Sequence, residues 1–216
     1  MSILVSRKAP NFTAQAVLAD GTINPSFQFY NSTKGKNGSV LFFYPLDFTF
    51  VCPTELVALD RNIQNFNERG FEVIAISVDS QFSHAAWRKT AVSDGGIGPV
   101  SYTMVADISH EICRIYGVEH YEENVALRAT FIVDNNHVVR SQTVNDLPLG
   151  RSISETLRTI DSLQHFTKHG EVCPMGWNKG EEAMTPTSEG VSSWLTATYG
   201  TATTTDVNKS SEATSS

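Results

Sequence analysis

The sequence predicts a mixed α/β fold, a central sheet with helices on both faces that opens with an N-terminal hairpin. Three observations carry this. Apolar and β-branched residues run unbroken over 40–44 and dominate a second stretch at 71–79, the composition of central strands buried on both faces. Stretches with helical spacing alternate with those runs, and Asp134-Asn135-Asn136 joins two late strands with hairpin chemistry.

In chain order, Ala19-Asp20-Gly21-Thr22 is a turn signal within residues 13–23, the opening hairpin. Gly35-Lys36-Asn37-Gly38 leads into Val40-Leu41-Phe42-Phe43-Tyr44, and Pro45 ends that strand. Residues 53–69 place Leu56, Leu59, Ile63 and Phe66 three and four apart, an amphipathic helix stopped by Gly70. The second central strand, 71–79, is followed by a helix from 82 to about 92. Gly95-Gly96-Ile97-Gly98-Pro99 interrupts regular structure, and a short strand at 103–105 and a helix over 110–116 ended by Gly117 come next. Strands at 129–133 and 137–144 make the late hairpin. A helix over 152–166 carries Ile153, Leu157, Ile160 and Leu163 on one stripe, with Ser152 and Glu155 offering a capping box.

This order fits a thioredoxin-like sandwich. The expected organisation is a thioredoxin-like domain over 1–168, a C-terminal arm over 169–200 and a tail over 201–216. Nine of the sixteen tail residues are Ser or Thr, too polar to offset the entropy of ordering, so the tail is expected to be disordered.

Composition removes several functions. The 216 residues hold 23 acidic against 16 basic side chains, a net charge of −7, with no basic run longer than Arg88-Lys89. That disfavours a nucleic acid partner. No apolar run approaches the roughly 20 residues a membrane helix needs. The charges of Arg7 and Lys8 follow a very short apolar patch, the reverse of a secretory signal, so a reducing cytoplasm is the expected address. Three cysteines are too few for a disulfide framework, and in that compartment those that pair are expected to cycle.

Cys52 stands between the end of a buried strand and the start of a helix, because Pro53 is tolerated in a first turn and nowhere deeper. A thiol there faces unpaired backbone N–H groups and the positive end of the helix dipole, which favour the thiolate. The competing reading is a small buried core residue, the common fate of free cysteine. Two features favour chemistry. Thr49, three residues earlier, has a hydroxyl that can donate to a bound oxygen, and Cys173 is a second cysteine followed by proline.

Cys173 lies 121 positions after Cys52, so neither a CxxC exchange motif nor a zinc knuckle is present. The pair permits a definite sequence: a thiolate attacks a peroxide, becomes a sulfenic acid, and condenses with the second thiol before further oxidation. Cys52 would attack and Cys173 resolve, in its own subunit or a neighbour's. Cleaving the O–O bond also needs fixed donors for the charge on the leaving oxygen. Arg128 and Arg151 are the candidates, Arg128 the better placed. Cys113, among apolar helical neighbours, reads as a core thiol. The six histidines lack paired ligand spacing, so no metal is assigned, and the glycines at 95–98 precede a proline rather than a phosphate-cradling helix. No cofactor is implied.

Several motifs agree on a family. Pro45-x-x-x-Thr49-x-x-Cys52, Ser77-Val78-Asp79-Ser80, Asn145-Asp146-Leu147-Pro148, Gly150-Arg151-Ser152 and Gly170-Glu171-Val172-Cys173-Pro174 resemble the typical two-cysteine peroxiredoxins, the group of alkyl hydroperoxide reductases and thioredoxin peroxidases, over residues 8–194. The resemblance implies a thiol peroxidase for hydrogen peroxide and organic hydroperoxides, with Cys52 peroxidatic and Cys173 resolving. It implies that Pro45 shields the thiolate, that Thr49 and Arg128 bind the peroxide oxygens, and that Glu55 and Arg151 orient Arg128. It also implies an antiparallel homodimer with Cys52 of one chain meeting Cys173 of the other, often five dimers in a ring with contacts near Phe48 and Phe82. A thioredoxin or a flavoprotein disulfide reductase would regenerate the thiols.

Family members prone to sulfinic overoxidation carry a Gly-Gly-Leu-Gly loop and a C-terminal Tyr-Phe pair. Here Gly95-Gly96-Ile97-Gly98 is close, but Trp194-Leu195 replaces the pair, which predicts intermediate sensitivity. An alternative function on the same assembly is a peroxide-regulated chaperone or redox relay. A disulfide isomerase is weakened by the missing CxxC.

Overall fold

Seven strands pair into one mixed sheet in a computed structural model that describes residues 3–200. They are β1 (Thr13–Val17), β2 (Ile23–Gln28), β3 (Gly38–Phe43), β4 (Phe71–Ser77), β5 (Thr103–Ala106), β6 (Arg128–Asp134) and β7 (Val139–Asn145), in the spatial order β2-β1-β5-β4-β3-β6-β7. β3, β4 and β5 run parallel, and the remaining pairings are antiparallel. The helices are α1 (Phe29–Ser32), α2 (Cys52–Arg61), α3 (Ile63–Glu68), α4 (Gln81–Lys89), α5 (Glu111–Tyr116), α6 (Ile153–His169) and α7 (Ser188–Tyr199). The predicted thioredoxin-like α/β class, its opening hairpin and its two central strands are all present. The tail at 201–216 lies outside the described residues.

The apolar runs explain the centre. Alternate residues of a strand face opposite ways, yet Val40 and Phe42 on one side and Leu41 and Phe43 on the other are all at most 1% exposed. Both faces of the sheet are therefore covered. Leu41, Phe43, Ile74, Ile76 and Phe131 join Tyr116 and Phe29 in the main apolar cluster, where each side chain contributes about 1.5–3 kcal/mol of burial.

Several boundaries differ from the sequence reading. The helix expected over 53–69 is two, because Asn62 leaves helical geometry (φ −106°, ψ 5°) and turns its amide onto the Ala58 carbonyl at 2.8 Å. The apolar spacing carries on across that break, which hides it from a periodicity argument. The helix after β4 ends at Lys89, where Thr90 is extended, and a 3-10 turn follows at Val92–Asp94. The closing helix runs on to His169, before Gly170 at φ +71°. Ser152 caps it by accepting the Glu155 N–H at 3.2 Å, but the Glu155 carboxylate pairs with Arg158 at 2.7 Å, so only half of the capping box forms. α1 and α7 have no counterpart in the sequence reading.

The glycine run has a steric cause. A Cβ on Gly96 would stand 2.0 Å from the Thr90 carbonyl oxygen, so only glycine fits as the chain folds back on the end of α4. Trp87 Nε1 donates to the Gly95 carbonyl at 3.0 Å and holds the loop against α4.

The chain divides into two compact units between Ile160 and Asp161. The second holds the end of α6, an antiparallel bridge between Val172 and Met184, and α7. Among the described residues no helix is long and apolar enough to cross a membrane, and no group of three or more His, Cys, Asp or Glu is arranged to hold a metal ion.

Candidate active site

Sheet register builds the site. β6 runs antiparallel to β3 with Phe42 opposite Thr130, so Arg128, the first residue of β6, enters where β3 gives out and the chain turns toward α2. On its other side Arg128 pairs with Asn145 at the end of β7, which brings the following turn within reach. Arg128 Nε accordingly donates to the Leu147 carbonyl at 2.5 Å. The guanidinium is thereby aimed across the end of β3.

Cys52 is the first residue of α2, with Pro53 in the first turn as anticipated, and it is fully buried. Arg128 Nη1 lies 3.4 Å from its Sγ. The same nitrogen donates to Glu55 Oε2 at 2.8 Å. Glu55 sits one turn into α2 on the face that carries Cys52, so a single helix supplies both the sulfur and the carboxylate that fixes the guanidinium beside it.

Arg151 completes the network. It donates to Glu55 from its backbone N (2.8 Å), Nε (2.9 Å) and Nη2 (2.9 Å), and to the Ala129 carbonyl from Nη1 at 2.8 Å. Its guanidinium carbon lies 3.3 Å above the ring centroid of Phe42, a cation–π contact that seats it on the sheet. Burial acts to raise the pKa of Glu55, but the hydrogen bonds and charge of Arg151, joined by the charge of Arg128, outweigh it and hold the carboxyl below its usual range. Glu55 is the anion between two buried cations.

The loop between β3 and α2 is anchored separately. Asp47 accepts from Tyr44 OH (2.7 Å) and Ser83 Oγ (2.7 Å) and contacts His84 Nδ1 (2.9 Å), while its N–H donates to Asp79 Oδ2 (2.9 Å). Burial, together with the neighbouring Asp47 charge, raises the pKa of Asp79. Phe48 follows at φ +54°, a left-handed conformation that costs a bulky residue about 1–3 kcal/mol, with its ring 5.6 Å from that of Trp87. Thr49 Oγ1 donates to the Leu46 carbonyl at 2.9 Å. Pro45 is buried at the end of β3.

Of the residues singled out in the sequence, Cys52, Glu55, Arg128 and Arg151 form one hydrogen-bonded network, and both arginine candidates belong to it in different roles. Thr49 and Pro45 lie on the loop leading to it. Cys173 belongs to the second unit, half-buried, its thiol donating to the Ser162 carbonyl at 3.7 Å. Cys113 is a core thiol, fully buried, and burial together with Asp107 pushes its pKa well up. Sequence reasoning missed Asp47, His84 and the Leu147 carbonyl. The signal for the first two was weak: a polar pair flanking apolar runs, separated by 37 positions.

Comparison with known proteins places the chain in a family. The AhpC/TSA family model matches residues 5–142, and the model of the C-terminal domain of 1-Cys peroxiredoxin matches residues 162–196. Alkyl hydroperoxide reductase C of Helicobacter pylori (strain J99 / ATCC 700824) is 50% identical over 193 residues, covering 89% of this chain and 96% of that protein. The chloroplastic 2-Cys peroxiredoxin BAS1 of Hordeum vulgare is 43% identical, covering 90% of this chain and 91% of its own. The reduced 2-Cys peroxiredoxin of Plasmodium vivax superposes with a TM-score of 0.86 at 42% identity, covering 90% of this chain and all of that one.

Fold and relatives thus define a peroxidase carried on a thioredoxin-like sheet. The chain belongs to the AhpC/TSA family and is a peroxiredoxin.

Proposed function

We propose that this peroxidase works through Cys52 as peroxidatic nucleophile and Cys173 as resolving thiol in a disulfide cycle between subunits. The Cys52 thiolate attacks one oxygen of a hydroperoxide. The O–O bond breaks, its electron pair leaves with the distal oxygen, and that oxygen takes a proton to depart as water or an alcohol. Sulfur is oxidised to sulfenic acid. The Cys173 sulfur then attacks the sulfenic sulfur, the S–O bond breaks, and water leaves as the disulfide forms. An external dithiol, a thioredoxin or a flavoprotein disulfide reductase, returns both cysteines to thiols in a reducing compartment such as the cytoplasm.

One observation carries this reading: Arg128 Nη1, 3.4 Å from Cys52 Sγ, is held there by Glu55. A fixed cation beside the sulfur meets the charge that develops on the peroxide oxygens, and its orientation is set before substrate arrives. Thr49 is the second donor to those oxygens, once its hydroxyl swings from the Leu46 carbonyl. Pro45 has no N–H to solvate and walls the sulfur from water.

Cys52 is fully buried, so disulfide formation requires the first turn of α2 to open. The N-terminal end of that turn has no side-chain cap from Val51 and no N–H from Pro53, while Glu55 anchors its far end to Arg151 and Arg128. A homodimer, and a ring of five dimers, is supported by β7 lying at the sheet edge and by Phe48 and Phe82 being 53% and 67% exposed.

The test is a stoichiometric peroxide pulse followed by non-reducing electrophoresis. Wild type is expected to shift to a reducible disulfide-linked dimer, and Cys52→Ser and Cys173→Ser each to abolish it. A persistent peroxide-induced dimer in Cys173→Ser overturns the resolving assignment.

A further inference from the structure

We propose that His165 is a positioning residue for Cys173, a latch that holds the resolving segment on α6 so that releasing it sets the rate of disulfide formation. This rests on the reading of Cys173 as the resolving thiol.

The latch lies wholly in the second unit. His165 is near the C-terminal end of α6, and its Nε2 contacts Glu171 Oε2 at 2.8 Å. Glu171 is two residues before Cys173. Between them Val172 exchanges both backbone hydrogen bonds with Met184, at 2.8 and 2.9 Å. On the helix side the Cys173 thiol donates to the Ser162 carbonyl at 3.7 Å. The imidazole meets two tilted rings, its centroid 4.9 Å from that of Trp177 and 4.7 Å from that of His169. Trp177 is 2% exposed and donates from Nε1 to the Glu181 carbonyl at 3.0 Å, which fixes the face on which His165 rests.

In this seat the Cys173 thiol points at a backbone carbonyl. To attack a sulfenic acid it must leave. The Val172–Met184 bridge uses backbone groups alone, and the Ser162 contact is made by the Cys173 thiol itself. The His165–Glu171 pair is a side-chain contact, and it fastens the chain to α6 two residues from the thiol. A cavity of about 380 Å³ bounded by His165, His169, Trp177 and Lys179 gives the freed ring room to move while α6 stays intact. A partly exposed pair of this kind is weak, so its loss changes a rate by a small factor.

The experiment separates the two steps. After a peroxide pulse, samples are quenched at intervals with an alkylating agent. Sulfenic and sulfinic Cys52 are read by mass spectrometry and the disulfide by non-reducing electrophoresis. In His165→Phe, which keeps an aromatic ring beside Trp177 and His169 and removes the polar nitrogen, sulfenic acid should appear at the wild-type rate. The disulfide should form about two- to fivefold faster, and the sulfinic fraction should fall in proportion. His165→Gln, whose amide can donate to Glu171 from nearly the same place, should restore wild-type partitioning. Glu171→Ala breaks the pair from its other side, should match His165→Phe, and carries the test if that variant fails to fold. An unchanged or slower disulfide step in both variants, or both steps shifting together, overturns the latch. Cys173→Ser is run alongside: if it still forms the disulfide, the resolving assignment falls and the latch with it, whereas its failure to do so beside unchanged kinetics in the His165 and Glu171 variants removes the latch alone.

Discussion

Glu55 grips Arg151 with both carboxylate oxygens, Nε to Oε1 and Nη2 to Oε2 each at 2.9 Å. The fork geometry makes the pair rigid, and the spare capacity of Oε2 takes Arg128 Nη1 at 2.8 Å. Rigidity at Arg151 is thereby passed to the guanidinium beside Cys52. Replacing Glu55 with Ala leaves two buried guanidinium groups without their anion, and the expected loss of stability is about 3–5 kcal/mol. Urea unfolding at neutral pH reads it as a lower midpoint at unchanged slope. A loss below about 1 kcal/mol would mean that solvent replaces the carboxylate at little cost.

The same carboxylate predicts how stability responds to acid. Glu55 has a lower pKa in the folded chain than in the unfolded one, because Arg151 and Arg128 outweigh the opposing effect of burial. A depressed carboxylate stabilises fully above its unfolded value of about 4.3, and that stabilisation drains away as pH falls from there through the folded value. Wild type should therefore lose stability more steeply below about pH 4.3 than Glu55→Gln, and the two curves should run parallel from about pH 6 to 8. Parallel curves down to about pH 3 would show that Glu55 titrates alike in both states.

Arg128→Lys keeps a positive charge but loses the planar fork that reaches Cys52, Glu55 and the Leu147 carbonyl together. The rate constant for oxidation of Cys52 by peroxide, followed by stopped flow, should fall about 10²- to 10³-fold, the scale for losing one preorganised donor to a developing oxyanion. A fall of less than tenfold would show that charge without orientation suffices.

These residues were not equally legible in the sequence. β3 and β4 declare themselves because burial on both faces demands unbroken apolar runs, and Pro53 marks the start of α2 because proline fits only a first turn. Spacing alone ranks Arg128 above Arg151 but does not decide between them, for a physical reason. Which arginine meets the sulfur depends on the antiparallel register of β6 against β3, and pairing between distant strands leaves no mark on local spacing. Asp47 and His84 were invisible likewise, since a buried polar network is recognised by mutual contact. The break at Asn62 escaped because Leu59, Ile63 and Phe66 keep their phase across it.

Cys113 should be inert while Cys52 and Cys173 react. It is fully buried, and burial with the Asp107 carboxylate close by raises the pKa of its thiol, so both access and thiolate are denied. Native protein treated with iodoacetamide at about pH 8 should be unmodified at Cys113 by peptide mass spectrometry and labelled there after unfolding in urea. Labelling in the native state at a rate comparable with Cys173 would contradict a core role.

The C-terminal helix is expected to bear on overoxidation. α7 is capped by Thr187, whose Oγ1 accepts the Gly190 N–H at 3.0 Å, and Trp194 donates to the Glu182 carbonyl at 3.4 Å with its ring 5.8 Å from that of Tyr199. No residue of α7 is fully buried within the chain, so few of the contacts that hold the fold together depend on it. The segment can thus be removed without unfolding the remainder. Deleting the chain from Ser192 onward should raise the peroxide concentration that half-inactivates the enzyme about two- to fivefold, the rate factor for losing roughly 0.5–1 kcal/mol of packing. Sulfinic Cys52 measured across a peroxide titration gives the comparison, and equal curves for full-length and truncated protein would leave Trp194 without a part in resolution.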